Sequence, residues 1–254
     1  MTAPRALADV IDSATGRAHR NDPALARSGG PAGNAQLTAW MGLVLLVLFL
    51  AELVTLLDVR GLISWHVAIG ALLIPPALAK TGTTTWRILR YYTGSAPYQQ
   101  AGPPPLLLRL LGPLVVLTTL ALLGTGIALV AFGPDSSSTP IVTVAGRDVT
   151  AVTLHQASFL AWAVATGLHV LTRTVPAIRL TAAHPSAGQV AGIVPRAVIL
   201  TATVALAAAV AAITLSLAGS WVTGFAVFHH RPHAAPFDRP AGSAGAHGRD
   251  RRPR

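Results

Sequence analysis

The chain has 254 residues, of which 52% are hydrophobic and only 11% charged, with a formal net charge of +10. Soluble domains carry roughly 25% charged residues, so this is the composition of a membrane protein. Cysteine is absent, which excludes disulfides, thiolate metal sites, iron–sulfur clusters and cysteine nucleophiles.

The opening segment, residues 1–36, is polar and rich in Gly, Pro and Arg. It reads as a disordered arm, too long and polar for a secretory leader. Five apolar runs follow, at about 38–57, 62–80, 106–132, 150–172 and 196–218. Each approaches the ~20 apolar residues that cross a bilayer. The expected fold is therefore all-α: an integral membrane bundle of five transmembrane helices within residues 37–228. Pro75-Pro76 in the second run and Pro113 in the third predict kinks. Residues 229–254 read as a disordered Arg/His-rich tail, in which His229, His230 and His233 offer at most a loose metal site.

Arg and Lys distribution sets the expected orientation. The arm carries Arg5, Arg17, Arg20 and Arg27; the second connection carries Lys80, Arg87 and Arg90; the fourth carries Arg173 and Arg179. The first and third offer only Arg60 and Arg147, each near an Asp. This places the N-terminus in the cytoplasm, in a multi-pass protein of the cell membrane. The Arg-rich tail then falls outside, against the rule. The basic residues make no face for nucleic acid, and no phosphate-binding glycine motif, nucleophile elbow or His-Glu-x-x-His occurs. Trp86, Arg87, Arg90, Tyr91 and Tyr92 read as an interfacial anchor, or as a docking patch for a redox partner.

Three of the nine histidines, His66, His155 and His169, fall within apolar runs. In the expected topology the second and fourth spans run the same way. His66 and His155 each sit a few residues into their spans, and therefore at equal depth. Two neutral imidazoles at equal depth can bind one haem iron from opposite sides. Gly70, Gly124, Gly126 and Gly167 are small enough to let a flat ring approach. The competing readings are a hydrogen bond from each histidine to a neighbouring helix, or a proton or ion path.

His169 lies fourteen residues beyond His155, roughly 21 Å deeper and on much the same face. No histidine faces it at that depth. Its candidate partners are Met41, Lys80 or a structural hydrogen bond. Lys80, the sole lysine, reads most simply as a snorkelling side chain, with pairing to a propionate or lipid phosphate as the alternative. Glu52, the sole glutamate, lies near the depth of His66 and His155. It suits a proton relay or an ion pair with Arg60.

The His155-x13-His169 pair with His66 early in the second span resembles the bacterial b-type cytochromes. These are the cytochrome b561-like proteins and the cytochrome b subunits of Ni-Fe hydrogenases and formate dehydrogenases. The resemblance covers about residues 38–172. It implies a four-helix haem-binding core, here with one helix added, that carries electrons between a redox partner subunit and quinone. On that resemblance, His66 and His155 ligate one haem b and His169 is one ligand of a second. The first span lacks the family's other histidine, so one haem is expected rather than two. The segment from His66 to Gly94 also resembles small actinobacterial membrane proteins of no defined activity. With no flavin, nicotinamide or molybdenum domain, the expected role is an electron-transfer subunit rather than a complete enzyme. The alternative is a haem-free anchoring or assembly partner, or a small transporter.

Overall fold

The fold was analysed in a computed structural model, which describes residues 11–12, 22–103, 106–182 and 190–222. Most of the expected arm and the whole Arg/His-rich tail lie outside the described residues.

The helices are α1 (Gly30–Thr55), α2 (Ile63–Tyr92), α3 (Ala96–Gln100), α4 (Leu106–Ser137), α5 (Ala151–Ala182) and α6 (Ile193–Leu217). A 3-10 turn, Leu56–Asp58, ends α1, and a two-stranded hairpin, β1 (Val142–Val144) and β2 (Arg147–Val149), joins α4 to α5. Ala145 and Gly146 turn that hairpin with positive φ at both positions, the backbone a two-residue turn needs. The long helices alternate in direction. We call the end where α1 begins the arm end, and the opposite one the hairpin end.

Several helices outrun the apolar segments that announce them. α1 starts at Gly30, so residues 30–36 are helical rather than arm. α2 continues through the polar run Thr81–Thr85 to Tyr92, which places Trp86, Arg87, Arg90 and Tyr91 on a helix instead of in a loop. Thr83 and Thr84 donate their hydroxyls to the Lys80 carbonyl at 2.9 Å each, turning polar residues inward on the helix backbone. α5 likewise reaches Ala182. Pro75 and Pro76 sit inside an unbroken α2. In α4 the break comes at Gly133 (φ 75°, ψ 172°) before Pro134, not at Pro113.

Among the described residues, four helices are long and apolar enough to cross a membrane: Gly30–Asp58, Ile63–Tyr92, Arg109–Ser137 and Ile193–Leu217. α5 is as long but is diluted by His155, Gln156, His169, Arg173 and Arg179. Large apolar side chains such as Val47, Leu117, Leu160, Leu171 and Leu206 are exposed around the bundle. In water that surface would be a liability; it suits a lipid bilayer. The interior, by contrast, is rich in small residues: Ala71, Ala165, Ala207 and Ala211 are buried, as expected where close backbone approach drives helix association in lipid.

Packing follows the order α4–α5–α1–α2–α6, with a thin seam between α2 and α4. α1, α2, α4 and α5 thus form a ring of four, with α6 laid on the outside of α2. In this ring α2 and α5 stand on opposite corners.

Arg196, near the start of α6, is buried and locks the arm end. Its guanidinium donates to the carbonyls of Ala191 and Val190, both at 2.7 Å. It lies against Gly29 and Gly33, where a Cβ would come within 2.6 Å of Nη1. Gly29 also has φ 72°, and a Cβ there would meet the Ala191 carbonyl oxygen at 2.6 Å. Gly29→Ala is therefore expected to lose about 1–3 kcal/mol through backbone strain and displacement of the Arg196 clamp. A lowered thermal midpoint in detergent would register this, and an unchanged midpoint would contradict it.

Candidate functional site

His66 and His155 meet at the hairpin end, across the diagonal of the four-helix ring. Their ring centroids are 6.3 Å apart and their planes stand at 85°. Equal depth on opposite corners brings them together, as the spacing along the chain predicts.

What holds each ring was not visible in the sequence. Nδ1 of His66 lies 2.8 Å from Oε1 of Glu52 and 3.1 Å from Oγ1 of Thr55. Thr55 has one hydroxyl hydrogen, which it donates to the Glu52 carbonyl at 2.6 Å, so it accepts from His66. Nδ1 of His155 lies 3.0 Å from Oγ1 of Thr125. Thr125 spends its own hydrogen on the helix carbonyls of Ala121 and Leu122, at 2.8 and 3.0 Å, and so accepts from His155. Both imidazoles therefore carry hydrogen on Nδ1 and keep a lone pair on Nε2. No side chain among the described residues hydrogen-bonds to Nε2 of either ring, and the Leu122 backbone is a further hydrogen-bond neighbour of the His155 ring.

Glu52 pairs with His66 and not with Arg60. The carboxylate is half-buried, and its second oxygen, Oε2, is buried without a partner. Gly126 on α4 lies against His155, where a Cβ would come within 3.3 Å of Cε1. Gly70 faces Glu52, where a Cβ would stand 3.7 Å from Oε1. Gly124 and Gly167 face open space.

The donor set can be tested against a ligand. A bare divalent ion needs three or four protein ligands, and no group of three His, Cys, Asp or Glu suited to a metal occurs among the described residues. A haem iron brings four nitrogens of its own and needs only two more. With metal–nitrogen bonds of about 2 Å, two imidazoles on opposite sides of one iron have centroids roughly 6 Å apart. The measured 6.3 Å agrees. Both rings can contain the ligand axis and stand at any angle about it, 85° included. The ring separation is compatible with two imidazoles on one iron, with Nδ1 of His66 held by Glu52 and Thr55 and Nδ1 of His155 by Thr125.

Seven residues on from His155, Trp162 is buried and donates Nε1 to Thr119 Oγ1 at 3.1 Å. Phe49 packs on it at 4.2 Å between centroids, and Phe159 at 6.1 Å. This aromatic layer fills the middle of the bundle. Another seven residues on, His169 sits in different company. Its Nδ1 is buried without a partner, and its charged neighbours are Lys80 and Arg173. Neither of the other described histidines, His66 and His155, is among those neighbours. Met41 is fully buried on α1. Lys80 does not snorkel: its Nζ turns back to α1, donating to the Thr38 carbonyl at 3.1 Å and lying where a Cβ on Gly42 would come within 2.8 Å.

Searches against protein-family models, curated proteins and solved structures gave no match to this chain.

Proposed function

We propose that this protein is a membrane b-type cytochrome that carries electrons between a redox partner subunit and the quinone pool. The observation that carries the reading is the His66–His155 pair, 6.3 Å apart with both Nδ1 hydrogens engaged. Two imidazoles brought together within the bundle are a costly arrangement in hydrocarbon unless their remaining ring nitrogens find partners. Bound haem b would supply one-electron redox chemistry. The chain's own residues hold it: His66 and His155 bind, Thr55 and Thr125 fix ring orientation, and Glu52 adds negative charge behind His66.

We read the bundle as five spans, with α5 as the fifth. α5 packs between α1 and α4 and turns His155 and Trp162 toward those neighbours, so part of its polarity is spent inside the ring, while Gln156 and Arg179 are exposed. The Arg-bearing arm end is then cytoplasmic. One haem is proposed. His169 meets Lys80 and Arg173 rather than a second imidazole, and it is not assigned as an iron ligand.

Protein purified from a haem-sufficient host should show a Soret band and sharp α and β bands on dithionite reduction, with one haem per chain. A colourless preparation would sink the reading. The second reading is a haem-free anchoring partner or small transporter. It draws on the Glu52–His66 contact, which satisfies His66 Nδ1 without any metal.

A further inference from the structure

We propose that the arm end carries a binding site for a phosphate-type oxyanion, built by Lys80, Arg173 and His169 where α2 meets α1 and α5. The site stands apart from the haem reading and does not depend on it.

Arg173 lies one turn beyond His169 on α5, and it has no hydrogen-bond or ion-pair partner among the described residues. Lys80 and Arg173 are electrostatic neighbours, and Arg87 and Asp22 complete the surroundings of Arg173. Among the described residues Asp22 is the carboxylate next to Arg173, and it is held through both oxygens by Arg87, with Nη1 to Oδ2 at 3.1 Å. Lys80 gives one hydrogen to the Thr38 carbonyl and keeps two. Nδ1 of His169 is buried with nothing to bond.

Among the described residues, Lys80, Arg87 and Arg173 thus have a single neighbouring carboxylate between them in a half-buried place. Like charges drawn out of water repel strongly unless an anion joins them. A tetrahedral oxyanion answers each open valence: ammonium and guanidinium hydrogens, and the imidazole Nδ1–H. A propionate of a haem held by His66 and His155 does not reach, since His169 is fourteen residues, roughly 21 Å, further along α5. Lys80 and Arg173 lie where the apolar runs of their helices give way to polar sequence, where a lipid headgroup can approach. The phosphate can come from an anionic lipid headgroup or from free phosphate. The charge excess favours a headgroup without its own cation, such as phosphatidylglycerol over phosphatidylcholine.

Native mass spectrometry of the purified full-length protein offers one lipid against the other, and thermal unfolding in detergent compares inorganic phosphate with chloride at equal ionic strength. The expected result is retention of phosphatidylglycerol over phosphatidylcholine, reduced about tenfold by Arg173→Gln or Lys80→Met. Arg60→Gln, at the hairpin end, should leave it unchanged. Stabilisation by inorganic phosphate, lost in the same variants, would instead assign the site to free phosphate. Circular dichroism establishes that each variant folds. If Arg173→Gln does not fold, Lys80→Met and the charge-preserving Arg173→Lys carry the comparison. Wild-type indifference to both probes, or equal binding by folded variants and wild type, overturns the proposal.

Discussion

Replacing His155 with alanine is expected to abolish the low-spin haem spectrum of the purified protein, and replacing His66 should do the same. In the proposed site each imidazole would supply one of only two protein bonds to the iron, so losing either would leave no graded intermediate of the same spectral type. Helix content by circular dichroism should persist, because the two rings bridge opposite corners of the ring and are not its packing core. Added imidazole should diffuse into the hole left by His155→Ala and restore part of the spectrum. His169→Ala, on the same face of α5, should leave the spectrum and the haem-to-protein ratio unchanged. If neither His66→Ala nor His155→Ala alters the spectrum, the pairing is wrong, whatever colour the protein has.

Glu52→Gln should spare haem binding but raise the midpoint potential. A carboxylate accepting the Nδ1 hydrogen of His66 makes that imidazole a stronger donor and favours the ferric state. An amide at the same 2.8 Å contact cannot do so. A tenfold change in the redox equilibrium is about 60 mV for one electron, which sets the expected scale. An unchanged midpoint potential in folded, haem-loaded Glu52→Gln would show that Glu52 does not act on the iron through His66.

The depth of the three histidines was legible because a helix rises by a fixed amount per residue and the spans alternate in direction. That was enough to bring His66 to His155 and to leave His169 without a histidine partner. Thr55 and Thr125 were not legible, since threonines are common in these helices and only the rotation of α1 and α4 picks out two of them. Glu52 was placed at the right level, but its choice of His66 over Arg60 depends on which way α1 faces. The ends of the helices were read too short, because hydropathy stops where lipid stops. Helix geometry continues wherever backbone hydrogen bonds are still made, as the threonines after Lys80 show. Lys80 itself was misread for the related reason that a helix-end lysine in isolation points to water, whereas here the Thr38 carbonyl and Gly42 draw it onto α1.

The layer of Phe49, Phe159 and Trp162, pinned to Thr119, divides the bundle into two compartments. Its rings stand between the level of His66 and His155 and that of His169. If haem is held by His66 and His155 as proposed, this layer stands between it and the proposed oxyanion site at Lys80 and Arg173, so each site should fill whether or not the other is occupied.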